Sequence, residues 1–178
     1  AEGVFGIMNF SFYPWGNAYY NVCETPYFDK EKGMDCWIKQ CQNDGTNDKC
    51  FSGPILCQHG DDECWANRVE GCAVRHYPSK YVDFLICFEG VNNAEHSALA
   101  MCSKESDIDV QTLNQCVSNK EGELVDQLNA KETIKLGTSK IGTPWVVVNG
   151  QPMSDPSSLL SHVCSIYQGD KPKGCFNQ

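Results

Sequence analysis

The residues from Cys57 to Cys72, CQHGDDECWANRVEGC, set three cysteines beside a histidine, an asparagine and the acidic triplet Asp61-Asp62-Glu63. Three kinds of chemistry suit these residue types. Cys57, His59, Cys64 and Cys72 could hold zinc, but zinc sites are dominated by close ligand pairs two to four residues apart, and the cysteines here are separated by six and then seven residues. One cysteine next to His59 at a helix start could be a reactive thiolate, its pKa lowered by the helix dipole. In the third reading Cys57, Cys64 and Cys72 are half-cystines pinning a helix that starts near Asp61. Composition favours the third: twelve cysteines in 178 residues point to an oxidising compartment and as many as six bridges. No metal and no cofactor is assigned.

The same spacing carries a resemblance. Cys57-Gln58-His59-Gly60, two residues, Glu63-Cys64, two residues, Asn67, four residues and Cys72 resemble the signature of the gamma-interferon-inducible lysosomal thiol reductase (GILT) family at every defined position. Gly16-Asn17-Ala18, Thr143-Pro144-Trp145-Val146 with Asn149-Gly150, and Cys164 with Tyr167-Gln168-Gly169 up to Cys175 extend the likeness over most of the chain. Residues 21–52 stand apart as a cysteine-rich insertion. The resemblance implies an α/β (α+β) chain with a modified thioredoxin-like fold, read as one domain over 1–178. That fold would lack the first strand and active-site helix, be disulfide-rich, and carry a helical insertion.

The resemblance also says which chemistry to look for. A thioredoxin-like reductase places C-x-x-C at a helix start, where one thiolate attacks and the second cysteine releases the mixed disulfide. Neither C-x-x-C nor C-x-x-S occurs in these 178 residues. The opposite wall of such a site is present: Thr143-Pro144, before Trp145, matches the cis-proline loop that offers its backbone to an extended substrate. No residue is therefore assigned as catalytic. Two functions follow. The first is a secreted, redox-inactive relative that binds another protein; the second is a thiol reductase whose C-x-x-C is removed from this chain or replaced by an unrecognised thiol pair. The first is preferred, so the reading leans against an enzyme and leaves the question open, with thiol–disulfide exchange on protein disulfides as the activity if it has one. Asp61, Asp62 and Glu63 oppose a thiolate at Cys57 or Cys64, because neighbouring negative charge raises a thiol's pKa.

A formal charge of −9 and a pI near 4.8 argue against nucleic acid and anionic membrane surfaces as partners. No apolar run reaches the length of a membrane span. The cysteine content implies the secretory route, so Ala1 reads as a processed or trimmed start. Localisation is expected to be extracellular, with the lysosomal or endosomal lumen as the alternative. Asn9-Phe10-Ser11 is the sole N-x-S/T sequon, a glycosylation site if Asn9 is at the surface.

The elements that must position these residues follow from pattern. Residues 4–13 read as a partly buried strand stopped by Pro14 and Gly16. Across 21–52, Cys23, Cys36, Cys41 and Cys50 are expected to pair among themselves. Tyr19, Tyr20, Tyr27, Phe28 and Trp37 are expected to build a satellite core there. Asp44 and Asp48 fit a solvated loop better than a calcium site. A helix runs from Asp61, with Asp61 and Asp62 as caps, to His76, a favourable end charge. Helices follow over 81–88 and 94–102, the latter holding a surface His96, and over 110–118 behind Asp109. The next spans 121–136, with Leu124, Val125 and Leu128 on its buried face and Gly137 at its end.

Trp145–Val148 reads as a buried strand, Asn149-Gly150 as a two-residue hairpin turn, and Gln151–Met153 as its return. Asp155-Pro156 opens a last helix burying Leu159, Leu160, Val163, Ile166 and Tyr167. Of the remaining cysteines, Cys57, Cys64, Cys72, Cys87, Cys102, Cys116, Cys164 and Cys175 are all counted as bridged. Loss of the first strand would bare sheet backbone, which rearrangement, another segment or a strand from a partner chain in a homodimer must cover.

Overall fold

The computed structural model describes residues 3–24, 26, 29–91, 96–140 and 142–176; the side chains of His96 and Thr138 lie outside that description. Tyr27, Phe28 and Ala94 of the expectations above fall outside it too. The chain divides into a larger unit, Tyr13–Ser139, and a smaller one, Ala1–Phe12 with Lys140–Gln178. It is helix-rich α+β and disulfide-rich, with six bridges and no free cysteine.

In the larger unit the elements are β1 (Tyr19–Tyr20), α1 (Lys30–Cys41), β2 (Ile55–Leu56), α2 (Asp61–His76), α3 (Tyr81–Gly90), α4 (His96–Glu105), α5 (Val110–Ser118) and α6 (Lys120–Ile134). Helix α2 is the hub, packing on α3, α5, α6 and β2. Its charge order suits the helix dipole: Asp61, Asp62 and Glu63 open it, Arg75 and His76 close it, each end favoured by a few tenths of a kcal/mol to about 1 kcal/mol. Gly71 brings α6 close, because an added Cβ there would collide with the Val125 side chain. Both predicted ends of α2 are found, but the capping residue is Gly60, with no side-chain cap. At φ 99° only glycine turns the chain there without strain. Asp61 and Asp62 act through the dipole and not as caps.

The α5 prediction also holds. Asp109 Oδ1 accepts from the Gln111 amide at 3.0 Å, satisfying one of the orphan donors of the first turn. Helix α6 departs from its expected face. Leu124 and Leu128 are about half exposed, whereas Val125, Asp126, Asn129 and Ala130 are buried. Polar residues can take that face because each is matched: Arg68 Nε donates to Asp126 Oδ2 at 2.8 Å, and Asn129 Nδ2 to the Pro14 carbonyl at 3.2 Å. Gly137 has the expected positive φ, 53°, but sits in a short 3-10 turn beyond the last residue of α6.

Residues 21–52 do not form a separate core: Trp37, Cys41, Cys50 and Phe51 share one buried cluster with Trp15, Tyr19, Tyr20, Cys57 and with Ala130 and Ile134 of α6. Cys23 pairs with Cys36 and Cys41 with Cys50, within the set expected to pair among itself. Trp37, Tyr19, Tyr20 and Phe51 are buried together with Trp15. Their rings meet edge-on or tilted, Trp15–Tyr20 at 5.5 Å and Trp37–Phe51 at 6.4 Å between centroids, and Trp37 Nε1 donates to the Cys50 carbonyl at 2.9 Å. Such aromatic pairs add about 0.5–1.5 kcal/mol each beyond the area they bury.

In the smaller unit β3 (Val147–Val148) and β4 (Gln151–Pro152) form an antiparallel hairpin, and α7 (Leu159–Ile166) follows. Asn149 at φ 49° and Gly150 at φ 79° make the two-residue turn that Asn-Gly signals. Asp155 caps the start of the last helical stretch by accepting from the Ser157 amide at 3.0 Å. Three expectations need correction here. Residues 4–13 form no strand. Val4–Ile7 winds into a 3-10 turn in which the Gly6 and Met8 amides donate to the Gly3 and Phe5 carbonyls, and Val4 is buried against Val163 and Cys164. The run Trp145–Val148 is not a buried strand: Val147 is 44% exposed, since β4 is its one ladder partner among the described residues. Ile166 is 37% exposed and not part of the buried face. The described strands make two separate two-stranded ribbons, β1–β2 and β3–β4, and no larger sheet among the described residues.

Candidate functional site

The signature residues converge on one turn, the link from β2 to α2. Cys57 and Cys64 are bridged with their Cα atoms 5.6 Å apart, tying the end of β2 to the first turn of α2. Inside that loop the backbone is held from several sides. Glu63 Oε2 accepts from the His59 amide at 2.6 Å and lies 3.2 Å from His59 Nδ1. Asn17 Nδ2 donates to Gln58 Oε1 at 2.8 Å. Asn67 Nδ2 donates to the Trp15 carbonyl at 3.3 Å. Gly16, at φ 58°, leaves room for Glu63, whose Oε1 would stand 3.1 Å from any added Cβ. Gly16-Asn17 and the Cys57–Asn67 stretch, far apart in sequence, thus form one clasp.

Lys30 at the start of α1 completes it, its Nζ donating to the carbonyls of Cys57 at 3.1 Å and Gln58 at 2.7 Å. Pattern reading missed that contact because Lys30 sits in the charged run Asp29–Lys32, which looks like a solvated face. Cys72, the last signature cysteine, leaves the clasp and pairs with Cys116 of α5. With Cys57, Cys64 and Cys72 all in disulfides, none is a thiolate, so neither the zinc tetrad nor a nucleophile at Cys57 or Cys64 exists in this state.

Two buried acids on or against α2 were not singled out from sequence. Asp126 of α6 is fully covered and gripped by Arg68 Nη2 at 2.5 Å. Burial pushes its carboxyl up, outweighing the guanidinium that pulls it down. Glu70 is 2% exposed, and burial followed by its hydrogen bond and repulsion with Glu89 of α3 holds it well above the usual carboxylate range. The available signal was an acid lodged between Val69 and Cys72 on the apolar face.

His76 ends α2 as expected and meets Glu121 Oε1 at 3.1 Å. Cys116 lies near both, but its sulfur is in a bridge and Arg75 already holds the carboxylate at 2.7 Å. In the smaller unit Thr143-Pro144 is a cis peptide with both residues exposed and Trp145 half-buried. Asn9 is exposed as well. Among the described residues no helix is long and apolar enough to cross a membrane.

Known proteins resemble this chain in sequence. The family profile described as "Gamma interferon inducible lysosomal thiol reductase (GILT)" matches residues 37–106, a span that contains the whole Cys57–Cys72 signature. The mouse gamma-interferon-inducible lysosomal thiol reductase is 36% identical over 126 residues, covering 68% of this chain and 50% of the mouse protein. The goldfish (Carassius auratus) protein of the same name is 31% identical over 129 residues, covering 68% and 51%. This chain belongs to the GILT family. An Arabidopsis thaliana "gamma-interferon-responsive lysosomal thiol protein" is 31% identical over 133 residues, covering 68% of this chain and 53% of that relative. The chain spans about half the length of the curated GILT relatives it matches.

Proposed function

We propose that this chain serves a thiol–disulfide oxidoreductase of the GILT type, acting on protein disulfides in the endosomal or lysosomal lumen. The observation that carries this reading is the clasp: the family signature is present at every position and each residue but Cys72 is engaged in one structure around the start of α2. The reading of the sequence alone puts redox-inactive binding first; likeness to proteins named as lysosomal thiol reductases moves the weight to the enzyme. Exchange needs a thiolate, and all twelve cysteines here are closed. These 178 residues then provide the scaffold and, at Thr143-cis-Pro144-Trp145, a backbone edge for an extended substrate, while a C-x-x-C pair elsewhere in the protein provides the nucleophile. In this proposal 1–178 is one domain carrying 21–52 as an insertion, and exposed Asn9 carries a glycan.

The second reading, a secreted and redox-inactive relative that binds another protein or a second copy of itself, is favoured by one observation: the complete absence of a free thiol and of C-x-x-C within these residues. One experiment separates the two. The protein from its natural source is sequenced by peptide mapping and assayed for reduction of a disulfide-linked protein at acidic pH. Turnover that iodoacetamide abolishes, together with a C-x-x-C peptide, supports the reductase. A mature chain with only these twelve closed cysteines and no turnover overturns it in favour of binding.

A further inference from the structure

One of the six bridges differs from the rest in its access to solvent. In each of the other five, at least one cysteine is no more than 5% exposed: Cys41 and Cys50, Cys57, Cys72 and Cys116, Cys102, and Cys164. Cys23 and Cys36 are both only half-buried, neither sulfur-bearing residue being fully covered. Cys36, on the outer face of α1, lines a shallow surface pocket with Lys32, Asp35, Lys39 and Gln40. Within that pocket Gln40 Nε2 stands 3.1 Å from Cys23 Sγ and 3.3 Å from Cys36 Sγ. A side-chain amide is thus already aimed at both sulfurs, ready to donate to whichever one leaves as a thiolate. Exchange rates depend on access of the attacking thiolate and on the stability of the leaving one, and here both conditions meet at one bridge.

We propose that Cys23–Cys36 is a redox-exchange site, opened in the folded protein by an external low-molecular-weight thiol while the other five bridges stay closed. The thiolate RS⁻ attacks one sulfur, forming a mixed disulfide and breaking the Cys23–Cys36 bond. The other cysteine departs with the electron pair, held by the Gln40 amide, and takes a proton from water. A second RS⁻ attacks the mixed disulfide, releasing RSSR and the second cysteine thiolate, which is protonated in turn. Two thiols are oxidised and one bridge is reduced. Opening frees the segment between β1 and α1 from its covalent tie, while Cys41–Cys50 and the aromatic cluster still hold α1 in place. This inference concerns a bridge outside the signature clasp and stands whether the protein is a reductase or a binding protein.

The test is made on the native chain with glutathione as the probe. Samples are taken at intervals, quenched by alkylation, and mapped by mass spectrometry. Cys23 and Cys36 should be alkylated first, about tenfold or more ahead of any other pair, with far-UV circular dichroism unchanged. Gln40→Leu should slow that phase alone by about threefold to tenfold, the rate equivalent of one hydrogen bond. The double variant Cys23→Ser/Cys36→Ser should keep the fold and lose the fast phase. Earlier opening of another bridge, or opening of all six together as the chain unfolds, would overturn the proposal. So would a Gln40→Leu rate equal to wild type.

Discussion

Replacing Glu70 with glutamine isolates what one buried carboxyl does to stability across pH. In the folded chain Glu70 is 2% exposed, its Oε1 has no hydrogen-bond partner, and its one carboxyl neighbour is Glu89. Its folded pKa is therefore raised, by burial first and by Glu89 second, whereas the unfolded chain titrates near the ordinary glutamate value of about 4.3. Between those two values the folded state keeps a proton that the unfolded state has lost. The stability that Glu70 contributes is thus fully present below the unfolded value and is lost as pH rises towards the folded one, at about 1.4 kcal/mol per pH unit.

Glu70→Gln stays neutral in a side chain of the same shape, so it escapes that loss. The assay is urea or thermal unfolding of both proteins between pH 4 and 7 with disulfides intact. The difference, wild type minus variant, should be level near pH 4 and fall steadily above about pH 5. Each kcal/mol is worth about 2–4 °C in Tm for a chain of this size, so the variant should melt clearly higher at neutral pH. Buried Asp126 titrates in the same sense but cancels in the difference. A difference that stays flat across the range would refute the reasoning, because Glu70 would then be ionised in the fold. For this one carboxyl the sign favours the native state in acid.

Two further outcomes follow from the packing around α2. Arg68→Met leaves the Asp126 carboxyl without the guanidinium that grips it; breaking such a buried pair costs about 3–5 kcal/mol, towards the low end because Arg68 is 30% exposed. Adding Asp126→Leu should restore most of the loss in an unfolding cycle, and additive losses would contradict the pairing. Among the bridges, Cys72–Cys116 closes 44 residues and Cys57–Cys64 only 7, so chain entropy assigns them about 4 and about 2.5 kcal/mol. Denaturant midpoints of the two double-alanine variants should differ accordingly, and equal losses would mean that native contacts set each bridge's worth.

Local signals with a stereochemical cause were legible in the sequence. The acid-first, base-last order of α2, the Asp109 and Asp155 caps and the Asn149-Gly150 turn each act within a few residues, and each is found where the pattern put it. The closed pairing of Cys23, Cys36, Cys41 and Cys50 was legible because the four share one cysteine-rich segment, although which pairs with which was not. What failed depends on neighbours far away in sequence. Residues 4–13 and Trp145–Val148 have strand composition, but β-propensity expresses packing against partners, and those partners are few or absent among the described residues. Leu124 and Leu128 looked buried until Arg68 and Pro14, 58 and 115 residues from their partners Asp126 and Asn129, claimed the opposite face. At the site, the signature named the right residues without showing that they clasp Asn17 and Lys30.

The order of the bridges along the chain bears on how the protein is made. Cys23–Cys36, Cys41–Cys50 and Cys57–Cys64 each join a cysteine to the next one in line, so a chain entering an oxidising lumen N-terminus first can close them in sequence as they emerge. Cys72 is the exception. Its mate arrives 44 residues later, a delay of about 2–9 s at ordinary rates of synthesis, and Cys87 and Cys102 pass by in the interval. Those two belong to each other, 15 residues apart, so early oxidation of Cys72 to Cys87 is the mispairing that biosynthesis must avoid or undo. Among the bridges of these residues this is the step at which a disulfide isomerase would act, and Cys72 of α2, the hub of the larger unit, stays unpaired with its mate until α5 has been synthesised.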